Sequence, residues 1–230
     1  MATSSDTYPI LENIEELDII RNVLNNEKAQ KGLIALYSAS DSEFRRNGKL
    51  GPEVGRARED DLKAVLHNDI RDEFNCNIDD NIDNGADCTV KGQGISIKHS
   101  SNAIGKGRIK VKWTSDESKA RDCIKQMLLL EKKNYTHMLL IYIDNKKHTI
   151  QIIAISAEQI LEAVKDLKED AFKTSFGKNT RGIEYSQKMI QRLIKKKYFQ
   201  IDISNAVLTG GIDPIKRRQL LLESVRPTQL

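Results

Sequence analysis

The stretch from Gly85 to Ser101, Gly-Ala-Asp-Cys-Thr-Val-Lys-Gly-Gln-Gly-Ile-Ser-Ile-Lys-His-Ser-Ser, constrains the fold more than any other part of the chain. Two β-prone runs, 86–90 and 95–100, flank Lys91-Gly92-Gln93-Gly94, whose glycines suit a tight hairpin. Pairing Val90 with Ile95 puts Asp87 opposite Lys98, with Cβ atoms roughly 5 Å apart. Side chains alternate along a strand, so Cys88, Val90, Ile95 and Ile97 share an apolar face suited to a core. Asp87, Thr89, Ser96 and Lys98 take the opposite face. A carboxylate and an ammonium held side by side on a rigid hairpin suit metal binding and the positioning of a water for hydrolysis. The bland alternative is a cross-strand ion pair worth about 0.2–1 kcal/mol.

The rest of the chain supplies the frame. With 230 residues it can bury a core, as one domain or as a domain with extensions. No apolar run approaches the roughly 20 residues that span a bilayer, and the start, Met-Ala-Thr-Ser-Ser-Asp, lacks the features of a signal peptide. Cys76, Cys88 and Cys123 have no CxxC spacing, which argues against a disulfide framework or a zinc site and fits a reducing, cytoplasmic setting. The net charge of +4 is small, but its distribution is uneven. Basic residues cluster at 106–112, 192–197 and 216–218, and acids at 11–18 and 53–83. Such clusters suit a polyanionic partner or solvated helix faces equally.

Helical spacing of Ile10, Leu11, Ile14, Leu17, Ile20, Val23 and Leu24 predicts a helix over 10–25, with a second piece at 33–37. Gly48-Lys-Leu-Gly-Pro52 breaks the pattern. An amphipathic helix over 53–74 follows, burying Leu62, Val65, Leu66 and Ile70. Residues 75–85 read as a loop. After the hairpin come a strand at 108–113, a helix opening at Ser115-Asp-Glu-Ser-Lys and running to about 132, and strands at 138–143 and 149–156. A helix at 157–167 closes this portion. Beyond it lie a helix at 184–197, a strand at 199–203, Gly210-Gly211 and a last helix from Pro214. The result is a mixed α/β layer rather than regular βαβ alternation.

This order, with the residues of the hairpin, resembles the PD-(D/E)XK nuclease superfamily and, within it, the type II restriction endonucleases. The common core of that superfamily is helix, three-stranded meander, helix, strand, matched by residues 53–143. Its signature is an acid on one strand and an acid-any-lysine triplet on the next. Asp87 matches the first acid, preceded by Ala86 where Pro is nominal, and Ser96-Ile97-Lys98 occupies the triplet. Ser96 departs from the nominal acid; members with Ser or Thr there recruit a carboxylate from a neighbouring helix. Glu59, in Gly55-Arg-Ala-Arg-Glu59, is the favoured candidate, three and seven residues before the inward Leu62 and Leu66. Asp116 and Glu117 are the alternatives, and an acid early in a helix also follows from the helix dipole alone.

The resemblance implies a soluble, Mg²⁺-dependent endonuclease that hydrolyses double-stranded DNA at a short, palindromic sequence as a homodimer, beside a host DNA methyltransferase. Asp87, Glu59 and the Ile97 carbonyl would hold the metal, Lys98 would orient or deprotonate the attacking water, and Ser96 would hold a water. Ser100, Ser101, Asn102, Lys110, Lys112, Arg217 and Arg218 are the candidate DNA contacts. Residues 1–52 then form a helical N-terminal segment, 53–167 the nuclease core, and 168–230 an extension for dimer contacts or base readout. A structure-selective nuclease such as a junction resolvase, and a non-catalytic DNA-binding protein, are the competing readings. No P-loop, GxSxG, HExxH or post-strand GxGxxG is present.

Overall fold

The computed structural model describes residues 15–46, 52–74, 78–79, 86–100, 104, 109–112, 114, 116–144, 146–174, 182–204, 206 and 219. Expectations for residues 10–14, Ser101, Asn102, Trp113, Gly210-Gly211, Arg217, Arg218 and the helix from Pro214 fall outside these.

Helix α1 (Glu16–Asn25) buries Leu17, Ile19, Ile20, Val23 and Leu24. A sharp corner follows, in which Asn26 Oδ1 accepts from Lys28 N at 2.8 Å and Gln30 Nε2 donates to the Leu24 carbonyl at 2.8 Å. Both bonds satisfy groups that helix ends leave open. Helix α2 (Glu27–Arg46) is far longer than its apolar spacing suggests. Ser38, Ser40 and Asp41 are buried, so the inward face turns polar after Tyr37 and the apolar period stops before the helix does. Helix α3 (Pro52–Phe74) buries the expected Leu62, Val65, Leu66 and Ile70.

Strand β1 (Ile78–Asp79) lies in the stretch read as loop and pairs with β2 (Cys88–Val90), which pairs with β3 (Gln93–Ser100), all antiparallel. The chain then leaves the sheet through β4 (Lys110–Lys112) and α4 (Glu117–Leu128). It returns as β5 (His137–Asp144), parallel to β3. Strand β6 (Thr149–Ile155) is antiparallel to β5, and α5 (Ala157–Leu167) follows. Strands β7 (Phe172–Thr174) and β8 (Ile183–Tyr185) precede α6 (Gln187–Lys195), and β9 (Phe199–Ile203) completes the main sheet. The main sheet has the order β1-β2-β3-β5-β6-β9; β4, β8 and β7 form a second, three-stranded sheet.

The helix, three-stranded meander, helix, strand order is therefore present, but its third strand is β1 rather than 108–113. Strand β4 pairs with β8, with a register shift between Lys110 and Lys112. The expected helix over 184–197 starts later, because Ser186 caps it by accepting from Met189 N at 3.2 Å and leaves residues 183–185 extended.

The main sheet separates two cores. Leu139, Ile141 and Ile143 of β5 join Cys88, Val90, Ile95 and Ile97 against α1, α2 and α3. Met138, Leu140 and Tyr142 point the other way, to a core shared with α5 and α6. Burial on both faces explains why β5 reads as an almost unbroken apolar run. Helix α5 is capped by a reciprocal Ser156–Gln159 box, and Ala157 N also donates to His137 Nδ1 at 3.0 Å.

Gly182, just before β8, packs against the end of β4 within the second sheet. Its φ is +84°, and a Cβ there would stand 2.1 Å from the Lys112 carbonyl oxygen and 2.8 Å from Thr114 N. Both objections are to backbone, which cannot swing aside. Gly182→Ala is expected to cost on the order of 2 kcal/mol or more, and hence roughly 4–8 °C in the thermal midpoint for a chain of this size. An unchanged melting curve would show that β4 gives way freely.

Candidate active site

The hairpin turn is tighter than the sequence suggests. Lys91 and Gly92 have φ of 49° and 78°, so they make a two-residue turn with both central residues left-handed. Val90 consequently pairs with Gln93 and Cys88 with Ile95, a register two residues away from the expected one. Asp87 faces Ser96 instead of Lys98. Because the slip is even, every side chain keeps its expected face.

Lys98, one same-face step along β3, reaches back diagonally. Its Nζ donates to Asp87 Oδ2 at 3.2 Å, with side chains 29% and 19% exposed, so the pair is neither sealed in nor freely solvated. The same oxygen accepts from Ile97 N at 2.5 Å and from Ser96 Oγ at 3.3 Å. Asp87 N donates to the Ile95 carbonyl at 2.8 Å, which fixes the residue just before β2 begins. Since Ile97 N–H points to the β2 side, its carbonyl leaves the extended strand on that side as well. The acid and the triplet thus form one locked unit, with a carboxylate oxygen held by three donors.

Glu59, on α3, lies within electrostatic reach of this unit. Its pKa is raised, first by burial and next by the negative charge of Asp87, with Lys63 and Lys98 opposing. A second carboxylate held near Asp87 at a cost in ionisation creates a demand for positive charge. Lys63 answers it only in part, at 3.8 Å from Glu59. Asp116 and Glu117 are committed elsewhere. Asp116 caps α4 by accepting from Ser118 N at 2.9 Å and Lys119 N at 3.2 Å, and Glu117 pairs with Arg121; both acids are exposed.

Among the described residues no three His, Cys, Asp or Glu side chains form a ready metal cage. Two carboxylates and a main-chain carbonyl are an all-oxygen donor set, and Mg²⁺ commonly takes one or two carboxylates and completes its shell with water and substrate oxygens. The donor chemistry therefore fits a hard divalent cation.

Ser96 and Lys98 open into a cleft of about 870 Å³ whose wall includes Lys110, Lys112, Lys119 and Lys133. Lys110 and Lys112 were expected here from the sequence. Lys119, on α4, and Lys133, in the 3-10 turn Lys132–Asn134, were not, because nothing in their local sequence separates them from other surface lysines. Cys123 shares the cleft, its thiol pushed up by partial burial, with Lys112 opposing. Ser100 ends β3 in register with Tyr142.

The basic run 192–197 serves a different purpose. Arg192 pairs with Asp166, and Lys196 Nζ lies 3.1 Å from Glu162, so these cations stitch α6 to α5. His99 lies on the opposite face beside Tyr37, whose hydroxyl is 2.8 Å from its Nε2. Burial, helped by Arg58 and Lys98, holds its pKa down at about 3, so it is neutral near pH 7.

A family model, that of the restriction endonuclease ThaI, matches residues 19–207. The chain belongs to this restriction endonuclease family. A solved structure described as a restriction endonuclease in complex with substrate DNA is similar to this endonuclease with a TM-score of 0.66, at 22% identity, covering 90% of this chain and 98% of that one. At that identity the likeness is one of fold. No curated protein matches. The ThaI-family match makes the chain a DNA-cleaving hydrolase with a restriction-endonuclease-like mixed α/β fold. Among its described residues no helix is long and apolar enough to cross a membrane.

Proposed function

We propose that this restriction endonuclease is Mg²⁺-dependent and hydrolyses double-stranded DNA at a short palindromic sequence, as a homodimer with one active site per chain. The observation that carries the reading is the convergence of donors from Ser96, Ile97 and Lys98 on a single carboxylate oxygen of Asp87 beside a lysine-lined cleft. A bland surface ion pair has no need of the additional backbone and hydroxyl donors.

Asp87, Glu59 and the Ile97 carbonyl would hold the cation. Bound there, Mg²⁺ supplies Lewis-acid stabilisation of the charge that builds on the phosphoryl oxygens. Lys98 Nζ orients the attacking water and, in its neutral form, accepts its proton. Ser96 keeps its hydroxyl on Asp87, holding the carboxylate in one rotamer without adding charge. Lys110, Lys112, Lys119 and Lys133 offer the cleft to the phosphate backbone, a sequence-independent contribution that weakens with salt. Two symmetry-related chains give two cuts at a palindrome. A methyltransferase that protects host DNA would be the partner activity.

Phage DNA incubated with the protein and Mg²⁺ is expected to give a discrete set of fragments on a gel, and chelation with EDTA is expected to stop the reaction. A smear, or cleavage restricted to branched substrates, would overturn sequence-specific restriction. Salt-dependent binding with no hydrolysis in any divalent cation would reduce the site to an ion pair.

A further inference from the structure

Beneath the hairpin, on the face away from the cleft, three elements share a buried polar cluster. Tyr37, Ser40 and Asp41 lie at i, i+3 and i+4, on one stripe of α2. Tyr37 bonds His99 of β3, its ring meeting the imidazole edge-on at 5.7 Å between centroids. Ser40 Oγ donates to Asp61 of α3. Arg58 of α3 donates to Asp41 Oδ1 from Nε at 3.0 Å and from a terminal nitrogen at 2.5 Å. Tyr37, Ser40 and Asp61 are 0% exposed, Asp41 3% and Arg58 8%. The pairs form one cluster, since the charges of Asp61 and Arg58 both act on Tyr37 and that of Arg58 also acts on His99.

The residues that α2 grips are the immediate neighbours of the site residues. His99 adjoins Lys98 and points to the opposite face of the same strand. Arg58 adjoins Glu59, and Asp61 is two residues on. We propose that α2 is the alignment element of the active site: through Tyr37–His99 it sets Lys98, and through Asp41–Arg58 and Ser40–Asp61 it sets Glu59, so that groups from a strand and a helix hold one relative position. Tyr37, Ser40 and Asp41 are positioning residues that touch neither substrate nor metal. Well-packed apolar side chains would stabilise this core as well or better, because desolvating a buried ion pair offsets its attraction. What the polar cluster adds is direction. Each hydrogen bond admits one geometry where an apolar contact admits several. The inference rests on the proposed roles of Lys98 and Glu59.

Tyr37→Phe keeps the ring and removes the hydroxyl. Its single-turnover cleavage rate, below its unfolding temperature and with saturating Mg²⁺ and protein, is expected to fall ~10-fold or more, as displacement of a reacting group by a fraction of an ångström can do, while DNA affinity measured in Ca²⁺ stays within about twofold. His99→Gln, which can present a polar atom near the place of Nε2, is expected to retain more of the rate than His99→Leu at equal foldedness. Ser40→Ala tests the other arm: the Mg²⁺ concentration for half-maximal rate is expected to rise ~10-fold, in line with the loss of a group supporting a ligand. A folded Tyr37→Phe with the parent rate, or, should it fail to fold, a Ser40→Ala with the parent Mg²⁺ dependence, overturns the inference. Asp87→Asn separates the two levels. If it loses on the order of 10³-fold while the α2 variants are fully active, only the alignment role fails; if it cuts at the parent rate, the site itself is wrong.

Discussion

Asp87→Asn is expected to lower the cleavage rate on the order of 10³-fold or more, since it removes the principal anionic ligand from a site in which a metal supplies several kcal/mol of charge stabilisation, at about 1.4 kcal/mol per decade. The substitution is nearly isosteric. An amide oxygen in place of Oδ2 still accepts from Ile97 N and Ser96 Oγ, so the turn into β2 and the two-residue hairpin are expected to survive. The negative charge that Lys98 and any cation share does not survive. DNA binding is expected to persist, because Lys110, Lys112, Lys119 and Lys133 are untouched and one carboxylate fewer near phosphates favours association. Time courses of supercoiled plasmid conversion, paired with gel-shift titrations, separate the two effects. Cutting at the parent rate would refute the site, and joint loss of cutting and binding would point to a folding defect instead.

Lys98→Ala is expected to cost ~10²–10⁴ in rate, the usual range for a positioned proton-transfer group. The paired variant Lys98→Arg is the more discriminating one. Guanidinium keeps the charge and reaches Asp87, yet it does not lose its proton and its planar fork does not fit the place of an ammonium. If Lys98 serves only as an ion-pair partner for Asp87 Oδ2, now 3.2 Å away, Arg should restore most of the activity. If Lys98 handles the attacking water, Arg should remain within about tenfold of Ala on that scale. Single-turnover rates on a short duplex carrying one site decide between them.

Some of this arrangement is legible without coordinates, for reasons that lie in strand periodicity. Cys88, Val90, Ile95 and Ile97 are buried together, and Asp87, Ser96 and Lys98 share the other face. The expected register was two residues off, because Lys91 adopts a positive φ that a lysine seldom takes and nothing local announced it. Parity tolerates an even slip, so the face assignment held while the opposite partner changed from Lys98 to Ser96. Helix α5 and strand β9 occupy the expected residues, since a capping serine and a change in apolar period mark their ends.

Features that depend on distant partners were not legible. Two-residue β1 has too little sequence to carry a period and exists because β2 offers it an edge. Strand β4 alternates correctly, but alternation does not say which sheet it joins. Helix α2 hides its length because its second half buries a hydroxyl and a carboxylate, Ser40 and Asp41, whose partners lie on α3.

Local order, face by face, was thus determined by the chain's own pattern of apolar and polar residues, and with it the pairing of an acid and a lysine on one hairpin. Only the tertiary structure decided which strand completes the meander, that Glu59 comes within electrostatic reach of Asp87 while Asp116 and Glu117 bond within α4, and that lysines from β4, α4 and a 3-10 turn line one cleft. The physical reason is range. Side-chain alternation is set by bonds between neighbouring residues, whereas a cleft and its charges are set by packing between segments that the sequence keeps far apart.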